Sequence, residues 1–252
     1  MKLYTINTGF FKLDGGAMFG VVPKSIWNKL NPADENNLCT WAMRALLVET
    51  GDRNILIDTG IGNKQDARFR SHFEPRDEGA LFTSLAAAGL RREDITDVFL
   101  THLHFDHCGG ALWKNETTGE VEWSFPNAVY WSNQRHFDWA IHPNAREKAS
   151  FLKENFLPLH EQGRLKFLEV REGIEFCKNF QVRFFNGHTE ALMAPLIHTD
   201  KGTLLYCADA MPSRWHIGMP YVMAYDVRPL VTLEEKERML REALQEQWVL
   251  FF

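Results

Sequence analysis

The chain has 252 residues, 45% of them apolar and 24% charged, with a formal net charge of −5. That length and balance predict one domain with a full hydrophobic core that needs no stapling disulfides. The acidic balance and the absence of a basic stripe argue against nucleic acid as a partner, and no stretch is apolar over the ~20 residues that a membrane span needs.

The opening residues MKLYTINTGFFKLDGG lack the apolar run and small-residue cleavage site of a secretory leader, so a cytoplasmic location is expected. The cysteines Cys39, Cys108, Cys177 and Cys207 are scattered, fit no paired framework and are expected as reduced thiols. Met1 to Thr8 reads as a first strand. Gly9 to Asn31 follows as a segment rich in aromatics and glycine, including Phe10, Phe11, Phe19 and Trp27, which is either irregular core cover or a pocket lid.

Trp41 to Glu49 and Asn54 to Asp58 are apolar runs split by Thr50-Gly-Asp-Arg53, a hairpin signal. Asp58-Thr59-Gly60 comes next, and its aspartate is placed either to hold the second nitrogen of a ligand histidine or to form an Asx turn. From Asp77 to Leu90 the residues Leu81, Phe82, Leu85 and Ala88 recur at helical spacing until Gly89. Strand, helix and strand in succession predict layered α/β packing.

The strand Ile95 to Leu100 runs into Thr101-His-Leu-His-Phe-Asp-His-Cys-Gly-Gly110. His102, His104, Asp106 and His107 put three imidazoles and a carboxylate within six positions, a donor set suited to zinc or another first-row divalent ion. His102 and His104, two residues apart, project to one side of an extended segment; Asp106 and His107 are adjacent and need a turn into a helix to be aimed at a neighbouring point. Two pairs with two directions predict two ions. Cys108 reads as a packed neighbour, and Gly109-Gly110 as a tight backbone beside the site.

Beyond the motif, Ala128 to Trp131 is a short predicted strand, and Asn133 to Ile141 and Asn144 to His160 are predicted helices whose His136, His142 and His160 are structural or exposed. Phe180 to Asn186 is a strand leading into His188. Ala194 to His198 and Leu204 to Ala208 form a hairpin ending in Asp209, a carboxylate that is costly at the end of a buried strand unless it binds a cation. His188 and Asp209 are thus the remaining candidate ligands. His198 is expected to be exposed. Trp215 and His216 lie in an apolar loop and, with Phe19, are candidate substrate contacts, His216 being also a candidate ligand or a structural residue. Glu234 to Gln245 is an amphipathic helix with Met239, Leu240 and Leu244 as its buried side, and Gln247 to Phe252 is a last strand.

The motif, followed in order by His188 and Asp209 and preceded by the Asp58-Thr-Gly60 turn, resembles the metallo-β-lactamase superfamily. The resemblance implies an αββα sandwich over residues 1–252. It also implies that His102, His104 and His188 hold a first ion, Asp106 and His107 a second, and that Asp209 bridges them. Within the superfamily the chain is most similar to the lactonase-like hydrolases, which include N-acyl homoserine lactonases and organophosphate-degrading enzymes. It departs from them at Pro212, where quorum-quenching lactonases carry a tyrosine, and in a last histidine expected just past the final strand. A longer parent chain is expected to supply that histidine, with His216 as the fallback and the second ion the weaker one.

The implied activity is that of a binuclear metal-dependent hydrolase, zinc being the expected metal, in which a bridging hydroxide attacks an ester, lactone or phosphotriester. Asp106 and Asp209 are then the catalytic carboxylates. The expected partner is a small, neutral, partly hydrophobic substrate, with no nucleic acid and no membrane, and a homodimer is compatible with this reading. A thioesterase of the glyoxalase type would share the ligands but should add a basic helical domain at the C-terminus. A flavin-linked diiron oxidoreductase typically has glutamate where His104 stands. A non-catalytic metal-binding member of the fold would want a closed, four-coordinate site rather than six candidate ligands.

Overall fold

The computed structural model, which describes residues 1–252, gathers the strands of the chain into two large sheets and one two-stranded hairpin, in two units. The first unit comprises Met1–Lys12, Thr40–Ser132 and Lys148–Phe167; the second comprises Leu13–Cys39, Asn133–Glu147 and Leu168–Phe252.

The strands lying wholly or mostly in the first unit are β1 (Lys2–Asp14), β2 (Leu38–Glu49), β3 (Asn54–Ile57), β4 (Asp97–Phe99), β5 (Leu112–Lys114), β6 (Val121–Trp123), β7 (Val129–Asn133) and β8 (Leu165–Leu168). Six of them form one sheet in the order β1-β2-β3-β4-β7-β8, and β5 pairs with β6 in a separate hairpin. The Thr50–Arg53 turn joins β2 to β3 with Glu49 opposite Asn54, as the sequence predicts. Strands β3, β4 and β7 are parallel neighbours, with Ile57 beside Phe99 and Phe99 beside Trp131. Ile55, Leu56, Ile57, Val98 and Phe99 have no exposed surface, because a parallel sheet is covered on both faces. The shared direction of β3 and β4 matters for function: Asp58 and Thr101, just past their carboxyl ends, emerge at one edge, where open α/β sheets place ligands.

The second unit carries β9 (Ile174–Cys177), β10 (Phe180–Phe185), β11 (Leu192–Thr199), β12 (Gly202–Tyr206) and β13 (Val249–Phe251), ordered β13-β12-β11-β10-β9. Strands β10 and β12 are both antiparallel to β11 and therefore run the same way. The turn after β10, with His188, and the turn after β12, with Asp209, consequently leave the same edge.

Several elements depart from the sequence reading. The first strand continues to Asp14, and short helices cover Gly15–Phe19 and Lys24–Trp27, so the N-terminal aromatic segment is ordered secondary structure rather than irregular cover. A helix at Ala67–Phe73 was not predicted. The predicted helix Asn144 to His160 is helical only over Lys153–Glu161, because the Asn144 Oδ1 accepts from the amides of Arg146 and Glu147 and forms a turn. Strand β12 stops at Tyr206, and Asp209 sits on a 3₁₀ turn, Ala208–Ala210. The long amphipathic helix spans Pro229–Gln245 and buries Thr232, Lys236, Met239 and Ala243, while Leu244 is 82% exposed. That spacing of four, three and four is a regular helical stripe; it keeps Met239 of the expected buried side and replaces Leu244 by Ala243 and Lys236. No helix is long and apolar enough to cross a membrane.

Candidate metal centre

The loop of candidate ligands begins where β4 ends. Leu100 still bonds to Trp131 O, and then the Thr101 amide donates to Asp58 Oδ1 at 2.9 Å and the Thr101 hydroxyl lies 2.8 and 3.0 Å from the two Asp58 oxygens. Asp58 itself is buried, in the left-handed region at φ 62°, and its Oδ2 lies 2.8 Å from His107 Nδ1. Of the two readings of Asp58 open in the sequence, the carboxylate is therefore the partner of His107. It fixes that ring with Nδ1–H donating and Nε2 as the basic nitrogen. His102 is oriented likewise by the Thr101 hydroxyl, 3.1 Å from its Nδ1.

The residues after the motif are clasped by the Asp58–Lys64 segment. Thr59 donates through its amide and its hydroxyl to His107 O at 2.8 and 3.0 Å, and Lys64 Nζ donates to Leu112 O at 2.8 Å and to Gly109 O. A Cβ on Gly109 would stand 2.2 Å from Ile61 O, and one on Gly110 2.2 Å from Thr59 O. Only glycine permits this approach.

On the other sheet's edge, His188 Nδ1 lies 2.9 Å from Asp226 Oδ1, with both side chains almost wholly buried. The Nε2 that this leaves basic is 3.3 Å from Asp209 Oδ2, and His107 Nε2 is 3.7 Å from Asp106 Oδ2. A basic ring nitrogen facing a carboxylate oxygen sets lone pair against lone pair, an arrangement that a cation relieves. Ligand atoms of His102, His104, His188 and Asp209 lie within 4.8 Å of one another, and so do those of Asp106, His107 and Asp209. Nitrogen and oxygen donors in groups of this size, with ring tautomers already set by Asp58, Thr101 and Asp226, fit a first-row divalent ion.

Cys108 is in neither group. It is fully buried, its thiol lies 3.3 Å from Leu103 O, and burial pushes its pKa far above the ordinary thiol value. Cys108→Ala is therefore expected to keep its full metal content, measured by elemental analysis, and activity within a few-fold of the parent; loss of one ion equivalent would put the sulfur in the coordination shell.

His216 was a candidate ligand and substrate contact. The structure corrects both: its Nδ1 is 2.7 Å from Ser213 Oγ, its Nε2 2.8 Å from Met18 O, and burial pushes its pKa down to about 4. Phe19, with no exposed surface, stacks on this imidazole at 5.2 Å and on Trp27 at 5.3 Å, so it is core rather than pocket mouth. Trp215 is half-buried, with the Arg214 guanidinium over its ring. His136 is fully buried, its Nδ1 bonded to Glu190 O, and His142 and His160 are exposed. His198 is half-buried, with Thr203 Oγ1 3.0 Å from its Nδ1.

The sequence reading missed Asp226. It stands in a loop with no periodicity, 38 residues from the histidine it holds, and only the return of that loop brings the two together.

Residues 44–217 match the metallo-beta-lactamase superfamily model. The chain belongs to the metallo-beta-lactamase superfamily. It is 26% identical over 220 residues to an N-acyl homoserine lactonase of Bacillus cereus, an alignment covering 83% of this chain and 75% of that one. Among solved structures it is similar to a probable metal-dependent hydrolase from Staphylococcus aureus, with a TM-score of 0.90, 30% identity and coverage of 100% of this chain and 88% of that one. It is also similar to a dizinc quorum-quenching lactonase solved with N-hexanoyl-homoserine product, at TM-score 0.77 and 23% identity over 99% of this chain and 85% of the other. The fold is thus the superfamily's αββα architecture.

Proposed function

We propose that the chain is a binuclear metal-dependent hydrolase acting on a neutral, partly apolar ester, lactone or phosphotriester. The observation that carries this reading is the convergence of two donor groups, His102, His104, His188 and Asp209 in one, Asp106, His107 and Asp209 in the other. The first would hold one ion and the second another, with Asp209 common to both and zinc the expected metal. Bound there, the ions would supply Lewis acidity and an activated water. The chain's own part is to hold the acceptor nitrogens in place. Asp58 fixes His107 and Thr101, Thr101 fixes His102, and Asp226 fixes His188.

The apolar character of the substrate is supported by aromatic side chains on the ligand loop. Phe105, between His104 and Asp106, lies 5.0 Å from the Phe69 ring and 4.7 Å from Phe73, and the His104 ring is 4.6 Å from Phe151. Phe69 and Phe73 come from the Ala67–Phe73 helix, which has no buried residue, so they form an aromatic surface beside the ligands rather than core. The lactonase relatives named above make an acyl homoserine lactone the first substrate to test.

Zinc titrated into chelator-treated protein is expected to occupy a tighter site, with four protein ligands, and a weaker one, with three. Turnover of a panel of chromogenic esters, lactones and phosphotriesters should return with the metal. A protein that binds zinc at both sites and turns over nothing in the panel would be a metal-binding member without hydrolase activity. In Phe69→Ala, KM for the longest-chain apolar substrate should rise several-fold with kcat nearly unchanged, the mark of lost uniform binding. An unchanged KM with a lower Tm would make Phe69 a packing residue instead.

A further inference from the structure

The Pro229–Gln245 helix buries an ammonium group with unusual partners. Lys236 is 2% exposed, and its Nζ donates to three main-chain carbonyls, His216 O at 3.0 Å, Gly218 O at 2.9 Å and Tyr221 O at 2.9 Å. An ammonium has three donors, so all are used. Three carbonyl oxygens aimed at one point repel each other, and the ammonium at their centre offsets that repulsion in the bend from His216 to Tyr221, which is also held by the Tyr221 amide donating to Gly218 O at 3.0 Å. A buried charge is costly unless its environment solvates it. Here the bend does so.

The bend leads directly to the carboxylate that orients His188. Downstream of it, the Ala224 amide donates to Ala17 O at 2.7 Å, Asp226 Oδ1 lies 2.9 Å from His188 Nδ1, and the Val227 amide donates to His188 O at 3.2 Å. The residue before Lys236 acts on the same histidine from the other side: the Glu235 carboxylate accepts from the amides of Asn186 at 2.8 Å and Gly187 at 3.0 Å, the two residues preceding His188. Adjacent helix residues therefore grip the backbone that carries His188 and the loop that delivers its carboxylate.

We propose that Lys236 is a positioning residue for the metal centre: by pinning the His216–Tyr221 bend it holds Asp226 against His188 and so keeps the His188 Nε2 ready for the ion. The proposal rests on the metal-centre reading above. Loss of an outer partner of a ligand histidine typically weakens metal binding about 10–100-fold. An effect of that kind separates positioning from plain stabilisation.

The test is cobalt(II) titration of metal-free protein, followed by visible absorption, in the parent and in Lys236→Met, Lys236→Arg and Met239→Ala. Met239 is buried on the same helix and is the control for lost packing. Lys236→Met should weaken the tighter cobalt site about tenfold or more and alter its absorption bands, and Met239→Ala should lower Tm and leave both readouts at parental values. Lys236→Arg keeps the charge, but a planar fork cannot serve three converging carbonyls; it should fall between parent and Lys236→Met, and it decides the question alone if Lys236→Met does not fold. Parental cobalt affinity in the Lys236 variants, or an equal loss in Met239→Ala, would overturn the proposal. A parent protein that takes up no cobalt would instead overturn the metal-centre reading, and this inference with it.

Discussion

Asp209→Ala is expected to lose both metal ions and to reduce kcat/KM by about a thousand-fold or more, since metal-derived charge stabilisation contributes several kcal/mol to the transition state. Asp209 is the one residue common to both donor groups. Every other ligand substitution leaves one group intact. The carboxylate lies on a 3₁₀ turn at the sheet edge and is partly exposed, with side-chain exposure of 19%, so truncating it should cost the metal-free fold little. Elemental analysis of the purified variant, with the melting temperature of its metal-free form, reads both quantities. Two ions at full occupancy in Asp209→Ala would remove its assignment as the shared ligand.

Asp58→Asn is expected to have the second-largest effect, through His107. The native carboxylate faces an amide and a hydroxyl of Thr101 and the His107 ring nitrogen. An asparagine has a single acceptor oxygen, so its amino group must face one of these donors. Facing His107, it would favour the opposite tautomer, with the proton on the nitrogen needed by the metal. Metal affinity of the Asp106, His107 and Asp209 group should fall about 10–100-fold, and stability should fall by about 1.5–3 kcal/mol for the lost charge-assisted hydrogen bonds. Asp97→Asn provides the comparison, because Asp97 is also a buried carboxylate but bonds to Arg53, Thr96 and Trp131. It should destabilise without changing the zinc titration. Were the two variants to weaken zinc equally, Asp58 would be a stability residue only.

The sequence by itself determined the donor inventory and the hairpins, since both are local. His102, His104, Asp106 and His107 lie within six positions after a strand, and the alternation of apolar runs with Thr50–Arg53 and Thr199–Gly202 places the β2-β3 and β11-β12 hairpins. His188 and Asp209 were legible as candidates for a related reason: each follows an apolar strand, and a polar side chain at a strand end is a local anomaly. Tertiary structure alone decided what orients those candidate ligands. Asp58 reaches His107 across 49 residues and Asp226 reaches His188 across 38, and no pattern in composition or periodicity ties such pairs together. The same holds for the residues whose burial inverted their reading. Lys236 looks like a solvated face of an amphipathic helix, and His216 and Phe19 look like a pocket mouth. Their roles depend on carbonyls supplied by other segments of the chain, to which Lys236 and His216 donate, and on the rings that enclose Phe19. A side chain's chemistry is written in its own residue, whereas its solvation is provided by whatever the fold brings against it.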